Sequence, residues 1–146
     1  MFNFENHFPN LSGRYTRTSE ATHTYNSIAW AVEWAVEDKR YWSPEPLDQY
    51  YWPSDIPREE TLETFTQVFC SLGYELCSSR DPEPGYEKIA IYVDSNGKPT
   101  HVARQLRSGN WTSKILDYED IEHNSLDGLT GEVFGSVGRI LKRHIR

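Results

Sequence analysis

Two residues far apart in the chain have the types and settings for nucleophilic chemistry. Ser27 opens "SIAWAVEWAV", residues 27–36, whose apolar residues surround a helix axis and leave Glu33, with Glu37 just beyond, to face water. His101 alone among the five histidines lies inside a predicted strand, just after a turn that ends at Pro99. A nucleophile at a helix N-terminus meets unpaired backbone N–H groups and the positive end of the helix dipole. A thiol there, paired with an imidazole, falls from about 8.5 to roughly 3.5–7.5 and is a thiolate at neutral pH. The N–H of residue 27, supported by Tyr25 and Asn26, is placed to meet an acyl oxyanion. This is the layout of a cysteine–histidine acyl transferase or hydrolase, but the residue is serine. Its hydroxyl is far less acidic, and a dipole does not make it an alkoxide. The bland alternatives are a helix cap at Ser27 and a structural histidine at 101.

The turn after the His101 strand decides what accompanies the imidazole. With Ser108–Gly109 as a two-residue turn, Arg107 pairs with Asn110 and Lys114 shares a face with His101. With Arg107–Ser108–Gly109 as a three-residue loop and Gly109 left-handed, Leu106 pairs with Asn110. His101 then pairs with Ile115, and Ser113 lies diagonally beside it on the same face. A glycine in the third loop position favours the second register, so Ser113 is the candidate to orient the imidazole. Asp117, Glu119 and His123 in "LDYEDIEH" are the alternatives, although the acids there read mainly as solvated.

These residues need elements to hold them. A first helix is expected over about 26–38. The aromatic, proline-rich "YWSPEPLDQYYWPSDIPREE" excludes a long helix or central strand and is expected to pack its rings on the core. "REETLETFTQVFCSLGYEL" predicts a second helix, with Leu62, Phe65, Phe69 and Leu72 at helical spacing, Cys70 in its packing and Gly73 as the C-terminal cap. The period then changes to two, giving strands at 87–93, 100–106 and 111–116 in an antiparallel meander, with "EVFGSVGRILKR" as a further strand. Residues 1–23 read as irregular surface chain. Helices first and a meander afterwards predict an α+β domain.

Composition bounds the rest. The 146 residues, at 14% aromatic and 25% charged, suit one globular domain. A net charge of −7 argues against nucleic acid or an anionic membrane surface as partner, and the basic "RILKRHIR" reads as a solvated last element. No apolar run is long enough to span a bilayer, and no signal peptide is recognisable. A cytoplasmic protein is expected, with secretion independent of a signal as the other route. Cys70 and Cys77 read as reduced and buried. Nothing in the pattern calls for a cofactor or metal.

"YNSIAWA", "THVARQL" and "WTSK" resemble the nucleophile helix, histidine strand and third-residue strand of papain-like thiol hydrolases of the NlpC and CHAP type. Over residues 25–123 the chain is similar to a family of small uncharacterised bacterial proteins with the pattern "YNCIAWA", "YWP", "GYE", "HxARQ", "WTSK" and "IEH". The resemblance implies a papain-like fold, a central N-terminal helix packed on the meander, and hydrolysis of an amide or peptide bond. It departs at the decisive place, since Ser27 stands where the pattern has cysteine. That departure marks an inactive form, either substituted or naturally degenerate.

The first expectation is therefore a small amidase or peptidase with its nucleophile position at residue 27. By fold-level analogy such proteins act on cell-wall peptides or as toxins and effectors. The second is an inactive module binding a peptide in a cleft rimmed by Trp42, Tyr50, Tyr51 and Trp52. The third is an immunity or adaptor protein offering its acidic surface to a protein partner.

Overall fold

The computed structural model describes residues 4–18, 52–53, 55–115 and 120–145. The period-two stretches form β3 (Tyr86–Val93), β4 (Pro99–Gln105) and β5 (Trp111–Lys114). β6 (Asp120–His123) and β7 (Ser136–His144) flank them, and the three-residue strands β1 (Tyr15–Arg17) and β2 (Glu75–Cys77) close the edges. All pair antiparallel in one seven-stranded sheet of order β1-β6-β5-β4-β3-β7-β2.

The β4–β5 hairpin has the three-residue loop. The Leu106 N–H donates to the Asn110 carbonyl at 2.8 Å, Gly109 has φ +95°, and Gln105 pairs with Trp111. Only a residue tolerant of that left-handed backbone closes the loop without strain, and this fixes which side chains share a face.

Strand alternation divides the sheet into two apolar layers. The described α-helices are a single turn, α1 (Phe4–His7), and α2 (Leu62–Ser71). One face presents Ile89, Ile91, Val102 and Leu141 to α2, whose Phe65, Val68 and Phe69 meet them together with Trp52 and Ile56. The other presents Ala90, Tyr92, Ala103, Trp111, Ile115, Ile121 and Ile140. These are covered by Phe8 and Leu11 from the N-terminal segment, by Leu126 and Leu129 from a 3-10 turn, and by Phe134.

α2 starts where the sequence provides a cap. The Thr61 hydroxyl oxygen accepts from the Thr64 N–H at 3.1 Å. It ends where Gly73, at φ +94°, lets the Tyr74 N–H donate back to the Phe69 carbonyl. Thr61→Ala is expected to cost about 1 kcal/mol in urea unfolding. Unchanged stability would mean that the cap contributes nothing.

The expected α+β, papain-like fold is corrected: the described chain is mainly β, a seven-stranded antiparallel sheet with one helix of ten residues. The 26–38 helix lies outside the described residues. Segments expected as coil or helix end pair as strands instead, namely Tyr15–Arg17 against β6 and Glu75–Cys77 against β7. Partners along a sheet edge supply the hydrogen bonds that three residues lack by themselves.

Smaller expectations change for similar reasons. Phe8 and Leu11, in a stretch expected on the surface, are fully buried. Asp120, expected in solvent, is buried within β6. Cys70 is exposed and Cys77 half-buried, both as free thiols, because the apolar stripe of α2 runs through residues 65, 68 and 69. In the basic C-terminal stretch, Arg143 is buried against Glu87.

Candidate functional site

Of the residues singled out for chemistry, Ser27, Tyr25, Asn26, Asp117 and Glu119 lie outside the described residues, as do Trp42, Tyr50 and Tyr51. Trp52, expected at a rim, is a core residue whose Nε1–H donates to the Pro57 carbonyl at 3.0 Å. His101, Ser113 and His123 are described, and all three are buried. Register puts them on one face: Tyr92 opposite His101, Gln105 opposite Trp111, Trp111 opposite His123, and Ser113 opposite Ile121.

Ser113 and His123 touch. The Ser113 hydroxyl lies 2.8 Å from His123 Nε2, and His123 Nδ1 lies 2.9 Å from the Ser125 carbonyl. A carbonyl only accepts, so Nδ1 carries the proton, Nε2 is the acceptor, and Ser113 donates. Burial is the main reason His123 is pushed down to about 4, and it is neutral at pH 7. The pair has the local form of a serine–histidine dyad oriented by a carbonyl. Both side chains are wholly buried, as is His101.

His101 differs. Its Nε2 is buried and has no hydrogen-bond partner among the described residues. Burial, with a smaller contribution from His123, holds its pKa well below the usual histidine value, so it too is neutral. Its ring stacks on Phe134, with centroids 4.2 Å apart and planes 4° from parallel, and Tyr92 lies 5.4 Å away. The result is a buried, neutral imidazole whose Nε2 meets no polar group among the described residues.

Phe134 was not legible as a site residue. Its only local signal is the pair of glycines bracketing "GEVFG", and its contact with His101 joins segments distant in the chain. Among the described residues, no group of three or more potential ligands gathers for a metal ion. No described helix is long and apolar enough to cross a membrane. An open groove of about 900 Å³, lined by Pro82, Pro84, Tyr86, Leu106, Arg107 and Ile145, lies at the far end of β4 from His101. It contains none of the residues chosen from the sequence.

The model of a family described as Domain of unknown function (DUF7689) matches residues 16–142. The chain belongs to this family. The DUF7689 match spans the sheet from β1 to β7 and so includes His101, Ser113, His123 and Phe134. No curated protein and no solved structure matches the chain.

Proposed function

We propose that this DUF7689 protein is an inactive form of a hydrolase of amide or peptide bonds, with residue 27 at the nucleophile position and His101 as the general base. The observation that supports this reading is the Nε2 atom of His101: buried, uncharged and without a partner among the described residues. A buried acceptor left unpaired costs stability, and functional sites are where such costs are tolerated. Nucleophile and base pairs recur on unrelated folds, so the reading does not depend on a papain-like topology.

In the active form, the residue 27 thiol passes its proton to His101, and the thiolate attacks the acyl carbon. The imidazolium then returns the proton to the leaving amine, and water hydrolyses the thioester. With serine, a base held well below the usual histidine range must take a proton from a much weaker acid. This is the reason the proposal takes the Ser27 protein to be an inactive form.

Ser27→Cys tests the proposal without a known substrate. The new thiol is expected to react with iodoacetamide at pH 7 about tenfold faster than an ordinary cysteine, because a larger share is thiolate. Exposed Cys70 serves as the internal reference, with labelled sites located by peptide mass. His101→Ala in that background is expected to raise the apparent pKa of the thiol and remove the advantage. Labelling at position 27 no faster than at Cys70, and indifferent to His101, would favour a non-catalytic binding module.

A further inference from the structure

A base works only if its ring is held, and no polar group among the described residues holds the Nε2 side of His101. Ser113, the residue expected to do so, has its hydroxyl proton committed to His123. The planar contact on the imidazole is Phe134. We propose that Phe134 is the positioning residue of His101, an aromatic ring doing what a polar third residue does in other histidine-dependent hydrolases. The catalytic meaning of this role rests on the proposed function, whereas the positioning itself does not.

The Phe134 ring is itself over-determined. Gly131 and Gly135 exchange backbone hydrogen bonds of 2.9 and 2.8 Å, closing a short loop that presents residue 134. Gly135 has φ +80°, and a Cβ there would lie 2.0 Å from the Val93 carbonyl oxygen, so only glycine fits this approach to β3. The hydroxyl of Thr100, the residue before His101, donates to the Phe134 carbonyl. On its other contacts the Phe134 ring meets Phe8 at 5.0 Å and Tyr92 at 6.1 Å. Tyr92 is fixed in turn by its hydroxyl, which donates to the Leu126 carbonyl at 2.6 Å.

A stacked partner fixes the plane of the imidazole and leaves only a flip of its two nitrogens. The same ring covers one face of the imidazole, and burial is the main cause that holds His101 neutral. Among the described residues, the titratable groups on this part of the face are His123 on β6, the Tyr92 phenol on β3 and, beside His123, Tyr15 on β1.

The test is an NMR titration of the His101 ring in the native chain, with iodoacetamide labelling in the Ser27→Cys background as a second readout. Phe134→Leu keeps apolar volume and loses the planar face. It is expected to raise the His101 pKa by about one unit or more towards the ordinary value. Although the ring becomes more basic, it is no longer held in line with position 27, so labelling there should slow about tenfold. Thr100→Val frees the Phe134 carbonyl without touching the ring, and is expected to move both readouts in the same direction by less. This variant decides the matter if Phe134→Leu does not fold.

Ser113→Ala is expected to leave both readouts near their native values. The proposal is overturned if His101 titrates unchanged in Phe134→Leu, or if Ser113→Ala reproduces the shift. Should His101→Ala leave labelling unaffected, the hydrolase reading fails, and the titration alone decides the role of Phe134.

Discussion

Replacing Arg143 by methionine is expected to lower the free energy of unfolding by about 3–5 kcal/mol, measured by urea unfolding followed through tryptophan fluorescence. Arg143 on β7 is buried, and its Nε–H donates to Glu87 Oε1 on β3 at 2.7 Å, with Nη2 bound to the same oxygen. Its Nη1–H donates to the Leu72 carbonyl at 3.0 Å, and its guanidinium lies 4.7 Å over the Tyr74 ring. One side chain therefore fastens the end of α2 to two strands. Removing it strands the Glu87 carboxylate, whose side chain is only 15% exposed, and leaves the Leu72 carbonyl without this donor. Adding Glu87→Gln to Arg143→Met should recover part of the loss, since much of it is the penalty of an unpaired charge. A loss below about 1 kcal/mol in the single variant would show that solvent reaches the pair.

Acid is expected to destabilise the fold well before carboxylates in general are protonated. His123 titrates at about 4 in the folded state, against an ordinary 6.5. Between these values the unfolded chain binds a proton at this histidine and the folded chain does not. Stability is therefore full above about pH 6.5 and falls as pH drops towards 4, by about 3 kcal/mol from His123 alone. His101, also held well below 6.5, adds loss in the same direction. Glu83, lowered from 4.5 chiefly by its hydrogen bonds to Lys88 and Lys142, is lost with acid too, but in a lower window. His123→Gln keeps an acceptor for the Ser113 hydroxyl and does not titrate. Its stability should fall less steeply from pH 6.5 to 4, by about one proton's worth of slope. Parallel pH profiles for the two proteins would refute a buried neutral His123.

What was legible in the sequence is what short-range physics encodes. The apolar spacing of Leu62, Phe65 and Phe69 and the cap at Gly73 specify α2 within about three turns. Alternation specifies β3, β4 and β5, and the two glycines and β-branched residues of "EVFGSVGRILKR" tip the last segment towards strand rather than helix. Gly109 sets the hairpin register, because one left-handed residue selects the loop length. That places Ser113 on the face of His101.

The part that misled was equally specific. A strongly apolar helical run at 26–38 and the resemblance to papain-like hydrolases suggested α+β, while the edge strands β1 and β2 carry no signal of their own. Three residues are too few to display a period, and such strands form because a neighbour offers a row of unpaired N–H and C=O groups.

The sequence by itself thus determined α2, the strands β3, β4, β5 and β7, the β4–β5 register and the placing of His101 and Ser113 on one face. Only the tertiary structure decided the mainly β architecture, the pairing of β6 that spends the Ser113 hydroxyl on His123, the burial of Arg143, and the stacking of Phe134 on His101. Periods and turns are written within about ten residues of chain, whereas each of these contacts depends on which segment the sheet places alongside. His101 and Phe134 are 33 positions apart in sequence and 4.2 Å apart in space, brought together by β3, β7 and a glycine that fits against the Val93 carbonyl.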